Sequence, residues 1–198
     1  EISACLVGSE MCIRDRDNIK QTNPTLIDDL IPGTISLGYL EKVLCLLLRE
    51  GVPIRDMETI LETLGDHAGA LKDIDIVTEY VRQALKRTIT RRFAEANSLR
   101  VITVDPKVED TIVASVKKSE AGSYLAMDPD LIQKIVNITS GEIDKVKDVI
   151  PNIIILTSPI VRIYFKKLID QFIPNITVLS YSEIDNTAQI QAIGNIAM

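Results

Sequence analysis

The chain has 198 residues, 46% of them hydrophobic, which is enough to bury a core and excludes a disordered polypeptide. Tryptophan is absent and aromatics make up only 4%, so the core must be aliphatic. The net charge of −6 is spread over both halves and neither half is basic, which argues against a dedicated nucleic-acid domain.

The segment 1–16 has no clear hydrophobic period and resembles translated adaptor sequence fused to a reading frame, so it contributes nothing to the fold reading. The three cysteines, Cys5, Cys12 and Cys45, lack CxxC spacing and point to a reducing compartment. Cys45 falls in an apolar helical pattern and is expected in the core. No apolar run approaches the roughly 20 residues that span a bilayer, so the chain as given is expected to be soluble.

The first expected helix follows Asn23, with Pro24 at its first position and Leu26, Leu30 and Ile31 on one face; Pro32–Gly33 ends it. Ser36 then caps a helix to Glu50, in which Leu37, Leu40, Val43, Leu44 and Leu47 recur at helical spacing and Gly51 is the stop. After the extended link 52–54, Asp56 caps a helix with the stripe Met57, Ile60, Leu61 and Leu64, closed by Gly65. Asp73 caps the longest expected helix, with the stripe Ile74, Val77, Val81, Ala84, Leu85 and Ile89. Links this short favour packing between sequence neighbours.

From Arg100 the pattern changes. Short β-branched runs at 100–104, 123–127, 152–157 and 176–181 alternate with helical stretches at 106–116, 129–138, 141–150 and 159–172, and 188–198 adds an edge strand. Three strands run into a cap residue followed by proline: Asp105-Pro106, Asp128-Pro129 and Ser158-Pro159. The polar residue caps the helix, and the proline sits where its missing N–H costs nothing. The expected fold is α+β: an all-helical subdomain over 17–97, then an α/β subdomain with alternating strands and helices over 98–198.

Catalytic chemistry finds little support. His67, the only histidine, follows Gly65-Asp66 at a helix end, where a surface role is favoured over that of a base. The carboxylate pairs Asp28/Asp29, Glu109/Asp110 and Asp128/Asp130 read as solvated helix starts, because neighbours on a helix point different ways. Of the three strand–proline–helix starts, those at Asp105 and Asp128 put negative charge where a phosphate would bind; Ser158 is the one without such a charge, and a structural cap is its favoured role. Glycine-rich phosphate loops are absent, and no zinc spacing occurs. No cofactor, metal or catalytic residue is therefore expected. The strongest charge feature is basic: Arg82, Lys86, Arg87, Arg91 and Arg92 form a stripe down the long helix. It is read either as a solvated face or as a contact with an acidic partner or neighbouring subunit, with nucleic acid a poor third.

The blocks SLGYLEKVL, LLREGVPIRDMETILETL and KDIDIVTEYVRQALKR, with VITVDPKVED and LTSPIVRIYFKKLIDQFIPNITVLSYSEI, closely resemble the FlhA/injectisome export-gate family of type III secretion. In the last block Ser158, Pro159, Arg162, Pro174, Ser180, Tyr181, Glu183 and Ile184 stand at the family's spacings. The resemblance covers 17 to about 196 and leans flagellar. It implies a chain that begins partway through a larger membrane protein and carries the third, helical, and fourth, α/β, subdomains of its cytoplasmic region. It further implies a nonameric ring on the cytoplasmic face of the bacterial inner membrane. That ring docks flagellar chaperone–substrate complexes and has the export ATPase complex and other gate components as partners. The family's chaperone-docking dimple lies on subdomains outside this chain. Two alternatives stay open: the export gate of a virulence injectisome, and, on βα alternation alone, an α/β nucleotide-binding enzyme with a helical appendage.

Overall fold

A computed structural model describes residues 35–198 apart from 72, 120, 121, 149 and 151. The helix expected at 24–31, the pair Asp28/Asp29, and Cys5 and Cys12 lie outside the described residues. Two compact units make up the chain, the first ending at Arg92 and the second running from Phe93 to Met198. The α+β arrangement expected from sequence is the one observed: helices come first, then strands alternating with helices.

In the first unit α1 (Leu37–Arg49), α2 (Met57–His67), α3 (Ile74–Ala84) and α4 (Lys86–Phe93) follow one another, and α1 and α2 both pack on α3. Ser36, Asp56 and Asp73 cap their helices as expected, accepting from the N–H groups of Tyr39, Thr59 and Asp75. Gly51, at φ +70, ends α1, while Val52 N–H bonds back to Leu47 O. Leu40, Val43, Leu44 and Leu47 of α1 and Met57, Ile60, Leu61 and Leu64 of α2 are buried as their spacing requires, whereas Leu37 of the expected α1 stripe, in the first turn, is exposed. Cys45 is only half-buried.

Two expected boundaries shift. α2 continues through Gly65 to His67, because packing of Leu61 and Leu64 outweighs the local cost of one glycine. The long helix expected from Asp73 divides at Leu85, whose φ −80 and ψ 14 leave the helical region, and Ala84 of the expected stripe is exposed. No proline or glycine marks that break.

The second unit holds a four-stranded parallel sheet in the order β5-β4-β1-β6. Its strands are β1 (Ser98–Val104), β4 (Ile154–Thr157), β5 (Thr177–Ser180) and β6 (Gln189–Ile196). An antiparallel hairpin, β2 (Val116–Ser119) with β3 (Gly122–Leu125), is inserted between α5 (Pro106–Ala114) and α6 (Pro129–Val146). α7 (Pro159–Ile169) joins β4 to β5. Asp105 and Asp128 cap α5 and α6 through the N–H groups of Lys107 and Asp130. The two helical runs expected at 129–138 and 141–150 are one 18-residue helix, α6, that passes through Gly141.

One sheet face, carrying Ile102, Val104, Ile155, Val178 and Ile196, packs with Val108, Ile112, Ile135, Phe165 and Leu168 of the helices. The alternate residues Leu99, Val101, Ile154, Leu156 and Leu179 are buried as well. Strands buried on both faces read as continuous apolar runs, and IIIL in the sequence does so.

β5 and β6 are the two edges, so the connection 181–188 carries the chain across the sheet to pair β6 with β1. A short 3-10 turn, Tyr181–Glu183, opens that connection. Glu183 is fully buried, its Oε1 3.4 Å from Arg162 Nε on α7, itself fully buried. At the far end Asn97, at φ +63, donates its side-chain amide to Thr187 O, and its carbonyl accepts from Gln189 N–H.

Removing one member of a buried ion pair leaves the other charge unsatisfied, which costs about 3–5 kcal/mol. Glu183→Ala should therefore shift the urea midpoint of the second unit far below wild type, whereas Tyr181→Ala, at a half-exposed ring beside it, should shift it much less. Equal small shifts would show that the pair is dispensable. In the first unit burial, aided by Asp73, raises the Tyr39 hydroxyl above its ordinary 10.0. The folded state favours the neutral phenol, so its contribution is complete below about pH 10 and declines as pH climbs through the raised value. Tyr39→Phe should flatten that alkaline decline in a stability-against-pH titration.

Candidate interaction surface

The basic residues singled out in the sequence do not form one stripe. Arg82 lies on α3, where its neighbours at helical spacing, Thr78, Glu79 and Leu85, are all buried, and it is 1% exposed. Its Nη1 stands 3.1 Å from Glu50 Oε2, beyond the C-terminal end of α1. A cation there also meets the negative end of the α1 dipole. Arg82 is thus a tie between α1 and α3, and the helix break at Leu85 separates it from the rest. On α4, Ile89 and Thr90 turn inward, Lys86 is half-buried, and Arg87, Arg91 and Arg92 are exposed. Arg87 and Arg91 are one turn apart and share a face. No acidic residue occurs in α4.

The remaining titratable residues are used structurally. His67 stacks on Tyr80 of α3, with ring centroids 4.2 Å apart and 15° between planes, so it is packed rather than simply displayed at the surface. Glu109, read as a solvated helix-start acid, instead bridges elements: its Oε1 accepts from Thr157 Oγ1 at 2.6 Å and from Ser158 N–H at 2.7 Å. The Ser158 side chain makes no capping bond, against expectation, because the carboxylate of Glu109 occupies the N-terminal approach to α7. The one strand–proline–helix start that lacked its own negative charge therefore receives one from α5, which disfavours a phosphate there. Among the described residues no group of three or more His, Cys, Asp or Glu could hold a metal ion. No helix among them is long and apolar enough to cross a membrane.

Sequence reasoning missed Glu109, the Arg162–Glu183 pair and Asn97 as organising residues. Each acts on a partner distant in sequence, and no local spacing announces such contacts.

The model of the FHIPEP family matches residues 3–189. The chain belongs to this family. Its match begins inside the leading segment that carries no fold signal of its own. Relatives in the family include the flagellar biosynthesis protein FlhA of Bacillus subtilis, 38% identical over 190 residues, which covers 96% of this chain and 28% of that protein. The invasion protein InvA of Salmonella typhimurium is 28% identical over 180 residues, covering 91% and 26%. The low calcium response locus protein D of Yersinia pestis is 31% identical over 165 residues, covering 83% and 23%. The chain thus spans about a quarter of the length of these relatives.

Among solved structures, the C-terminal domain of InvA superposes with a TM-score of 0.85 at 28% identity, covering 97% of this chain and 57% of that one. The nonameric SctV-C of EPEC gives 0.80 at 29%, covering 91% and 54%. The Chlamydia pneumoniae CdsV in complex with CdsO gives 0.81 at 33%, covering 92% and 52%. The FHIPEP proteins so matched are export-gate components of flagellar and injectisome type III secretion, and this chain matches their C-terminal part, which in the EscV structure is a cytosolic domain.

Arg82 and Arg91 should part company in solution. Arg82→Ala uncovers Glu50 and should cost about 3 kcal/mol in urea denaturation, while Arg91→Ala, on an exposed face, should stay within about 0.5 kcal/mol of wild type.

Proposed function

We propose that the chain forms part of the cytoplasmic ring of a flagellar type III export gate, a non-enzymatic platform on the cytoplasmic side of the inner membrane that receives chaperone–substrate complexes. The observation that carries the flagellar choice is the match to Bacillus subtilis FlhA, 38% over 190 residues, against 28% and 31% for the two injectisome relatives. Ring formation is supported by the nonameric relative, whose fold this chain shares at a TM-score of 0.80. A platform rather than a catalyst is the reading favoured by where the acids sit: Asp56, Asp73, Asp105 and Asp128 cap helices, and Glu109 and Glu183 tie elements together. In this reading the partners are flagellar chaperones with their substrates, engaged mainly outside this chain, together with the export ATPase complex and other gate components. A CdsO-like protein joins them, by analogy with the CdsV complex. The half-buried Lys86 and the exposed Arg87, Arg91 and Arg92 serve as a contact between subunits or with an acidic partner, and Arg82 serves the core.

An exchange experiment tests this. Residues 17–198 replace the corresponding part of FlhA in Bacillus subtilis, and swimming and flagellin secretion are scored. Restored secretion above a FlhA deletion is the expected result. A hybrid present at normal level that secretes nothing, while the parallel hybrid in InvA supports invasion-protein secretion, would move the chain to the injectisome branch. Failure of both hybrids would count against the platform reading itself.

A further inference from the structure

The two edges of the parallel sheet are not equivalent. Along β5, Arg162 Nη1 donates to Val178 O and Lys166 Nζ donates to Ile176 O. β6 has no strand on its outer side among the described residues, and it contains no charged residue and no proline. Its first four residues, 189–192, are all exposed, Ile190 at 42%. They pair in regular register with residues 98–101 of β1, and the register shifts only beyond them, between Val101 and Ile102. On their other side the turn closed by Ala188 N–H donating to Asp185 O bounds the regular stretch.

The ladder fixes where the unused backbone groups point. Gln189 N–H donates to Asn97 O, so residue 189 faces β1. The N–H and C=O of one residue lie on the same side of a strand, and successive residues alternate. Gln191 therefore also faces β1, while Ile190 and Ala192 turn their backbone groups outward. Side chains alternate across the sheet, with Gln189 and Gln191 on one face and Ile190 and Ala192 on the other.

We propose that β6 pairs with β6 of a second copy, antiparallel, about a two-fold axis through Gln191. In that register Ile190 of each copy exchanges N–H···O bonds with Ala192 of the other, so every outward group of the regular stretch gains a partner. Gln191 faces its own counterpart at a non-hydrogen-bonded position, where side chains approach most closely. Two observations favour a second copy as the occupant. The stretch is uncharged, so a two-fold axis sets no like charges opposite each other; Arg100 of β1, in register with Gln191, has its charge met by Glu95 Oε2 at 2.8 Å. Only one edge of each sheet is open, so pairing ends at two copies rather than running on into a fibre. The contact is isologous, differs in kind from a rotational ring contact and does not rest on the ring reading above. Two short strands meeting edge to edge bury less than the roughly 1,000 Å² of a stable interface, so the pair is weak and exchanges rapidly.

The test uses the whole 198-residue chain. Sedimentation velocity over a concentration series into the millimolar range should show a monomer–dimer equilibrium. Gln191→Lys and, separately, Gln191→Glu should each weaken it roughly tenfold or more, because like charges then face each other across the axis, with the melting temperature unchanged. Mixing the two variants should restore the dimer. Disulfide trapping reads the register. Gln191→Cys brings two thiols together at a Cα separation of about 4.5 Å, within disulfide reach, whereas the two copies of Gln189→Cys stand about 14 Å apart. Mild oxidation should link Gln191→Cys through residue 191, located by mass spectrometry, and leave position 189 unlinked in Gln189→Cys. A wild-type chain that stays monomeric throughout, association indifferent to Gln191→Lys, a mixture no better than its parts, or equal linking at 189 and 191 would each overturn the proposal.

Discussion

The sheet of the second unit depends on one constraint, the passage of the chain from β5 to β6. The two strands stand at opposite edges of a parallel sheet, and only the connection 181–188 joins them. A connection that short must stay against the protein as it crosses, so its polar groups need partners. The structure supplies them at both ends. Glu183 is drawn inward to Arg162, and Thr187 and Gln189 are held by Asn97 at the turn that leads into β1. A buried ion pair contributes little net stability compared with an apolar isostere, but it tolerates few alternative arrangements. Its role here is therefore one of register: it fixes where the connection leaves β5, and hence where β6 meets β1. Gly194 fits the same constraint, because a Cβ there would lie 3.1 Å from Glu142 Oε2 and press on Ile102.

α7 carries much of this burden. Its inward face contributes Phe165 and Leu168 to the core, while Arg162 and Lys166, one turn apart, reach carbonyls of Val178 and Ile176 along the β5 edge. Capped carbonyls and nearby cations make that edge a poor site for another strand. β6, by contrast, carries neither charge nor proline and has no strand on its outer side among the described residues. The two edges of one sheet are thus treated differently by the same chain. The start of α7 is fixed in turn by Glu109 of α5, which engages Thr157 and Ser158 where β4 ends. Helix, strand and connection are linked through three carboxylate or amide side chains rather than through any contiguous motif.

That dependence explains what the sequence could disclose. Local signals were legible: the Asp-Pro starts of α5 and α6, the caps at Ser36, Asp56 and Asp73, and the apolar stripes of α2 and, Leu37 apart, of α1 appear where spacing puts them. The strand signal of 188–198 was legible too, and β6 occupies it as an edge. Features set by tertiary contact were not legible. Gly65 and Gly141 look like stops but lie within α2 and α6, where packing outweighs their weak helix propensity. The helical run 106–116 overlaps β2 only at Val116, and β2 itself, VKKS, lacks the apolar alternation that marks a strand. Ser158 sits in a cap position, yet its function passes to a carboxylate nearly fifty residues earlier. For the candidate surface, spacing alone grouped Arg82 with Lys86, since a continuous helix would align them. The break at Leu85, invisible in composition, places Arg82 in the core and leaves the α4 cations outside.

The separation at Leu85 has a physical logic. A single helix long enough to carry both Arg82 and Arg91 would have to reconcile a buried face needing a cation for Glu50 with an exposed face displaying three. In one continuous helix Arg82 and Lys86, at i and i+4, would also repel. Dividing the helix after Ala84 lets α3 follow the packing of α1 and α2, while α4 turns Ile89 and Thr90 inward. Arg82 then has its charge met by Glu50 inside the unit, and the arginines of α4 keep theirs at the surface. Burial decides which cations stabilise the chain and which remain accessible to a neighbour, and a one-residue departure from helical geometry is enough to sort them.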